Sequence, residues 1–178
     1  MPVSSSARRD TSAETSSFTP SCSSTSAEPK VQLLGVAEAR HLEPVARTLA
    51  SLGVANALVV HGSGIDEMAL HGETQAVRVS AAGLDPVTIA PEEAGLERRP
   101  LDALKGGAPA ENAERMAKLL KGEGSDAERD AVALNAGALL MTAGLAAGLR
   151  EGVARARDAL ASGEPYKRLR LLAEITHG

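Results

Sequence analysis

Cysteine and aromatic side chains are nearly missing from this chain of 178 residues: Cys22 is the one cysteine, Phe18 and Tyr166 are the two aromatics, and there is no tryptophan. A single cysteine can form neither an internal disulfide nor a cysteine-based zinc site, which fits a reducing, cytoplasmic setting. Two rings cannot build a stacking platform for single-stranded nucleic acid, so the core has to come from Leu, Val, Ile, Ala and Met. A dominant charge is lacking as well. The formal net charge is -4, so no nucleic acid and no membrane surface is expected as a partner. No apolar run approaches the length needed to span a bilayer, and the N-terminus carries no apolar stretch of the signal-peptide kind.

What is present is a mixture of 43% hydrophobic and 24% charged residues, as in a soluble globular domain, in a length suited to one such domain. Residues 1–30 stand apart. Ser4-Ser5-Ser6, Thr15-Ser16-Ser17 and Ser21-Cys22-Ser23-Ser24 make a Ser/Thr-rich stretch with almost nothing to bury. Ordering it would cost entropy without return, and the expectation is a disordered tail. A transit peptide would have a similar serine and arginine content, but Asp10, Glu14 and Glu28 oppose that reading.

Order is expected from Val31. Val31 to Val36 reads as a strand. Leu42, Val45, Ala46, Leu49 and Leu52 recur at helical spacing up to Gly53, and Ala57 to Val60 reads as a second, buried strand. A strand–helix–strand unit implies parallel strands. Ala76 to Val79 and Val87 to Ile89 look like short strands separated by a turn at Gly83-Leu84-Asp85-Pro86, and 91–107 reads mostly as loop. The rest is helical. One helix over 111–121 carries Met116, Leu119 and Leu120. A second opens on the capping-box signature Ser125…Glu128 and runs to about Gly148. It is apolar on two stripes, Val132 with Leu139 and Leu134 with Ala138, Met141 and Leu145, and so is expected to be central and buried. A third, ending at Ala161, presents Leu149, Val153, Ala156 and Leu160. Pro165 suits the start of a short last helix.

The chemistry concentrates in His61-Gly62-Ser63-Gly64-Ile65-Asp66-Glu67, directly after the Ala57 to Val60 strand. Ligands of open α/β sheets bind outside the carboxyl ends of the strands, where this stretch lies. A P-loop is excluded because no Gly-Lys-Ser/Thr follows. A dinucleotide fingerprint is excluded because Glu67 stands where its third glycine belongs. Two readings stay open on spacing alone: a turn in which Asp66 and Glu67 hold magnesium beneath a diphosphate, and a plain solvated turn. His61, closing an apolar strand, is read first as a buried histidine bonded to backbone. His41, His71 and His177 show no ligand spacing. Thr74 is read as closing a turn, Lys105-Gly106-Gly107 as a hinge before a helix, and Glu111-Asn112 as a cap. Asn135, inside the apolar helix, must find hydrogen bonds there. Lys167-Arg168-Leu169-Arg170 is read as a solvated face.

Taken in order, these segments resemble anthranilate phosphoribosyltransferase, over Val31 to about Ala173. They include Val31-Gln32-Leu33-Leu34-Gly35-Val36, Ala57-Leu58-Val59-Val60-His61-Gly62, Gly64-Ile65-Asp66-Glu67 and Gly72-Glu73-Thr74. Leu104-Lys105-Gly106-Gly107, Glu111-Asn112-Ala113, the run Arg129 to Ala136 and Leu149-Arg150-Glu151-Gly152-Val153 continue the match. The resemblance is to the C-terminal half of that family. It implies an α/β fold with a partial parallel or mixed sheet and packed helices, the C-terminal portion of the α/β domain shared with the pyrimidine nucleoside phosphorylases. It also implies the family's reaction, in which the phosphoribosyl group of phosphoribosyl pyrophosphate passes to anthranilate and diphosphate leaves, in tryptophan biosynthesis. Asp66 and Glu67 fall on the family's magnesium ligands, with Glu67 shared between two ions.

The departures bear on function. Ala108 follows Gly106-Gly107 where the family has aspartate, and Pro91-Glu92-Glu93-Ala94-Gly95-Leu96 stands for the family's Pro-Glu-Asp-Phe-Gly-Leu. The family's N-terminal helical domain and first strands, with their Gly-Thr-Gly-Gly-Asp and Lys-His-Gly-Asn segments and the arginine that meets anthranilate, have no counterpart. No catalytic residue is assigned, and the substrate-binding positions stay unknown. Three alternatives follow: a non-catalytic remnant, one half of a split enzyme that acts with a complementing N-terminal half or as a homodimer, and a nucleoside phosphorylase relative. Missing strands would leave an unpaired edge and exposed apolar faces, hence a poorly soluble or loosely packed chain.

Overall fold

The structure, a computed structural model, describes residues 30–177. The Ser/Thr-rich stretch 1–29, and with it the expectation of a disordered tail, lies outside the described residues. Lys30 is already part of the fold, its carbonyl accepting from the amide of Ala55 at 3.0 Å.

Four strands form one sheet in chain order: β1 (Val31–Gly35), β2 (Asn56–His61), β3 (Thr74–Ser80) and β4 (Gly83–Ile89). The first pair is parallel, with Leu33 opposite Leu58, as the strand–helix–strand pattern implies. The other two pairings are antiparallel, Val59 facing Val77 and Val79 facing Leu84, so the sheet is mixed. The turn between the last strands is corrected. It falls at Ala81-Ala82, and Gly83 to Pro86 already pair with β3. Gly83, at φ +116, supplies the left-handed backbone that reverses the chain. Pro86 sits opposite Val77 on an outer strand, the place where a sheet tolerates proline.

Alternation along β2 sends Ala57 and Val59 to one face and Leu58 and Val60 to the other. On the first face, helix α1 (Leu42–Ser51) packs Leu42, Ala46 and Leu49 against Val77 and Val79. Leu52 does not join them. It lies past the last helical residue and is 66% exposed, because Gly53 at φ +77 turns the chain there. On the second face Leu58, Val60, Met68 and Leu70 meet α3 (Asp126–Thr142) and α4 (Leu149–Ala161). Those helices touch backbone to backbone: a β-carbon at Gly152 would stand 2.3 Å from the carbonyl oxygen of Gly137.

The capping box of α3 is formed. The Glu128 amide donates to Ser125 Oγ at 3.3 Å, and the Ser125 amide donates to Glu128 Oε2 at 2.9 Å. The far end differs from expectation. The helix stops at Thr142 because Gly144, at φ +70, closes it with amides of Gly144 and Leu145 donating back to Met141 and Leu140, a Schellman ending. Nor is α3 buried on all sides. Ala133, Leu134 and Ala138 are interior, whereas Leu139 is 42% exposed; Leu145, expected on the helix, lies past its end and is 60% exposed. Helix α2 (Pro109–Leu120) buries only Leu119, and Met116 stays exposed. The last helix, α5 (Glu164–His177), is longer than expected and leaves Leu172 and Ile175 open. Lys121 Nζ stands 4.5 Å from the centre of the Tyr166 ring and links α5 to the end of α2. Within the expected loop 91–107, Pro91–Ala94 and Leu101–Leu104 are single 3-10 turns.

Candidate metal-binding site

The loop leaving β2 is held from several sides, and two carboxylates are what it presents. His61 sits at the strand's end with Nδ1 3.0 Å from the carbonyl of Val36 and Nε2 3.4 Å from the amide of Gly64. With Nδ1–H donating and Nε2 accepting, both contacts are satisfied by one neutral tautomer. His61 is therefore bonded to backbone, as expected of a histidine closing an apolar strand, but it is half-buried rather than buried. Gly62 and Ile65 then close a small antiparallel bridge. The turn inside it needs left-handed backbone at Ser63, φ +50, and Gly64, φ +101. Ser63 Oγ donates to the carbonyl of Glu73 at 2.7 Å, and His71 Nε2 lies 3.1 Å from the carbonyl of Ser63.

Next the main chain passes over the tip of β1, so closely that a β-carbon at Gly35 would meet the Asp66 carbonyl oxygen at 1.4 Å. Beyond the acids, the amide of Met68 donates to Asn135 Oδ1 on α3 at 3.0 Å, and the amide of Ala69 donates to Thr74 Oγ1 at 3.0 Å. Thr74 is 1% exposed, so it closes the loop from inside the core.

Asp66 and Glu67 are both exposed at this edge. Partial burial, and then the charge of Asp66, push the Glu67 carboxyl above the ordinary glutamate range, and among the described residues no cation offsets them. Among the described residues no three of His, Cys, Asp and Glu gather into a metal-ligand group. Two adjacent hard-oxygen donors with no cation beside Glu67 fit magnesium, which commonly takes one or two protein carboxylates and completes its shell with phosphate oxygens and water. They would not suit an ion that needs a full protein cage. Glu67 also lines an apolar cavity of about 520 Å³, with Leu33, Ile65, Leu104, Asn135 and Leu139.

The remaining candidates stay outside the site. Asn112 accepts from the Gly107 amide at 2.8 Å and donates to the Gly107 carbonyl at 2.9 Å, so that amide is occupied within the hinge. Because α2 begins at Pro109, Glu111 and Asn112 lie in its first turn rather than at its cap. His41 precedes α1 and His177 ends α5. Two features escaped the sequence reading. One is Gly35, an unremarked strand-end glycine. The other is Asp130, 4% exposed, which receives Arg99 at 3.4 Å and Arg157.

With this geometry in place, comparison with known proteins defines the class. The model of the glycosyl transferase family, a/b domain, matches residues 5–166, and the chain belongs to that family. Within it, the chain is similar to anthranilate phosphoribosyltransferases. It is 48% identical over 141 residues to the enzyme of Sorangium cellulosum, covering 79% of this chain and 40% of that one. It is 46% identical over 148 residues to the enzyme of Shewanella amazonensis, covering 83% and 43%. The solved anthranilate phosphoribosyltransferase of Thermus thermophilus superposes with a TM-score of 0.70 at 51% identity, over 76% of this chain and 40% of that chain. The Saccharomyces cerevisiae enzyme, solved in complex with PRPP and Mg, shares the fold at a TM-score of 0.71 and 23% identity. The chain spans about two fifths of the length of these relatives.

Proposed function

We propose that this chain is the C-terminal part of an anthranilate phosphoribosyltransferase and that it carries the magnesium edge of the active site. In the proposed reaction the anthranilate amine bonds to the anomeric carbon of phosphoribosyl pyrophosphate, the bond to diphosphate breaks, and the amine loses a proton. Magnesium, when bound, offsets the negative charge that collects on the leaving diphosphate. Asp66 and Glu67 would hold it, Glu67 from the rim of the cavity it lines. Gly35, Asn135 and Thr74 fix the main chain from which both acids project. The observation that carries the reading is this exposed acid pair on a loop fastened at the end of β2, in a chain so similar to these transferases.

The partner we propose is a complementing N-terminal half. Among the described residues β1 pairs on one side only. Beside it Val132, Ala136 and Leu139 line two adjoining apolar cavities on the open face of α3. Such a surface suits further strands and helices laid along β1. A cytoplasmic location belongs to the same reading. No helix among the described residues is long and apolar enough to cross a membrane.

The test follows anthranilate fluorescence with phosphoribosyl pyrophosphate and magnesium, with and without a separately supplied N-terminal half of a relative. Turnover in the mixture, abolished by Glu67→Gln, is expected. Unchanged fluorescence in every arm would mark the chain as non-catalytic.

A further inference from the structure

We infer that Asn135 is a positioning residue for the acid pair: its carboxamide grips the backbone of Met68 and thereby sets where Asp66 and Glu67 point. The inference rests on reading those acids as metal ligands.

The geometry is specific. Asn135 Oδ1 accepts from the Met68 amide at 3.0 Å, while Nδ2 donates to the Ala131 carbonyl at 3.0 Å and approaches the Met68 carbonyl at 3.5 Å. One side chain on α3 thus engages both polar groups of the residue that follows Glu67. Met68 cannot drift, because its own side chain is 2% exposed in the core. On the other side of the pair the main chain of Asp66 rests on Gly35. The two acids are therefore held between a strand tip and a helix.

The choice of residue argues the same way. Asparagine is a poor helix former, and its bond to the Ala131 carbonyl is the local back-bond that offers a helix no gain. Apart from Glu67, the side chains that line the cavity with it are apolar, Leu33, Val132, Ala136 and Leu139 among them. Leucine or alanine would serve the helix and the cavity better. What neither could do is satisfy the Met68 amide.

The experiment uses the full chain and Mn2+ as the probe, with affinity read from water-proton relaxation. Amide hydrogen exchange over 65–70 in the metal-free protein is the second readout. Asn135→Ala and Asn135→Leu are both made. The leucine variant keeps asparagine's γ-branched shape and its number of side-chain heavy atoms, adds only apolar bulk beside an apolar cavity and suits the helix, so with the smaller alanine variant it keeps the fold testable. Expected is faster exchange confined to the loop, with α3 and α4 still protected, and Mn2+ bound about ten- to a hundredfold more weakly, the usual effect of releasing a ligand's support. Faster exchange with unchanged Mn2+ affinity would overturn the inference and leave the metal reading standing. Should the parent chain bind Mn2+ no better than an Asp66→Asn, Glu67→Gln double variant, the metal reading fails and takes the inference with it.

Discussion

Gly35 and Asp66 are in contact, main chain to main chain. A β-carbon on the glycine would fall 1.4 Å from the aspartate's carbonyl oxygen, and only the bare backbone fits. The expected outcome for Gly35→Ala follows. The acid loop is displaced, and the chain is destabilised by about 1–3 kcal/mol, the range for forcing atoms into a filled space. Urea unfolding gives the stability, and the position of the loop is read from the amide shifts of 64–68. A variant with unshifted amides and an unchanged midpoint would mean the contact is looser than described.

The capping box offers a pH-dependent prediction. The Ser125 hydroxyl, donating to Glu128 at 2.7 Å, holds the Glu128 carboxyl below the ordinary glutamate value; burial opposes it, and the Ser125 amide and Arg115 add further lowering. A depressed carboxylate contributes stability above its unfolded pKa of about 4.3 and loses that contribution as pH falls through the lower folded value. Unfolding measured at neutral pH and again near pH 3 should therefore show Glu128→Gln less stable than the parent at the higher pH, with the gap closing at the lower. Ser125→Ala should lose about 1 kcal/mol at neutral pH, as removed caps do.

The open face of α3 makes a third. Leu139 is exposed and lines two adjoining cavities. Replacing it by glutamate should lower binding of a hydrophobic dye and raise the concentration at which the chain stays dispersed, with little change in the unfolding midpoint. It should also abolish complementation by an N-terminal half. Improved dispersion with intact complementation would place the docking surface elsewhere.

Local pattern made much of this fold readable. The strand–helix–strand opening, the capping box at Ser125 and the acid-bearing loop all follow from residues close together in sequence. The errors have local causes too. Gly144, which gives α3 its αL ending, is masked in the sequence by the apolar run around it, and Gly83 has turn chemistry although it already pairs with Ser80. What could not be read were contacts made by distant residues. Asn135 and Met68 are 67 positions apart, and Asp130 meets Arg99 and Arg157 across 31 and 27. Periodicity placed Asn135 within the helix and required it to be satisfied. It gave no way to name the loop that satisfies it.

The two margins of the sheet are unlike. The far margin, β4, carries Pro86, which withholds one backbone donor and so discourages any newcomer from annealing there. Among the described residues the near margin, Val31–Gly35, has no such guard, and it ends at the glycine beneath Asp66. On the proposed reading, a complementing half would extend the sheet along β1 and arrive alongside the two acids. Enlarging the sheet and enclosing the proposed cation site would then be one event.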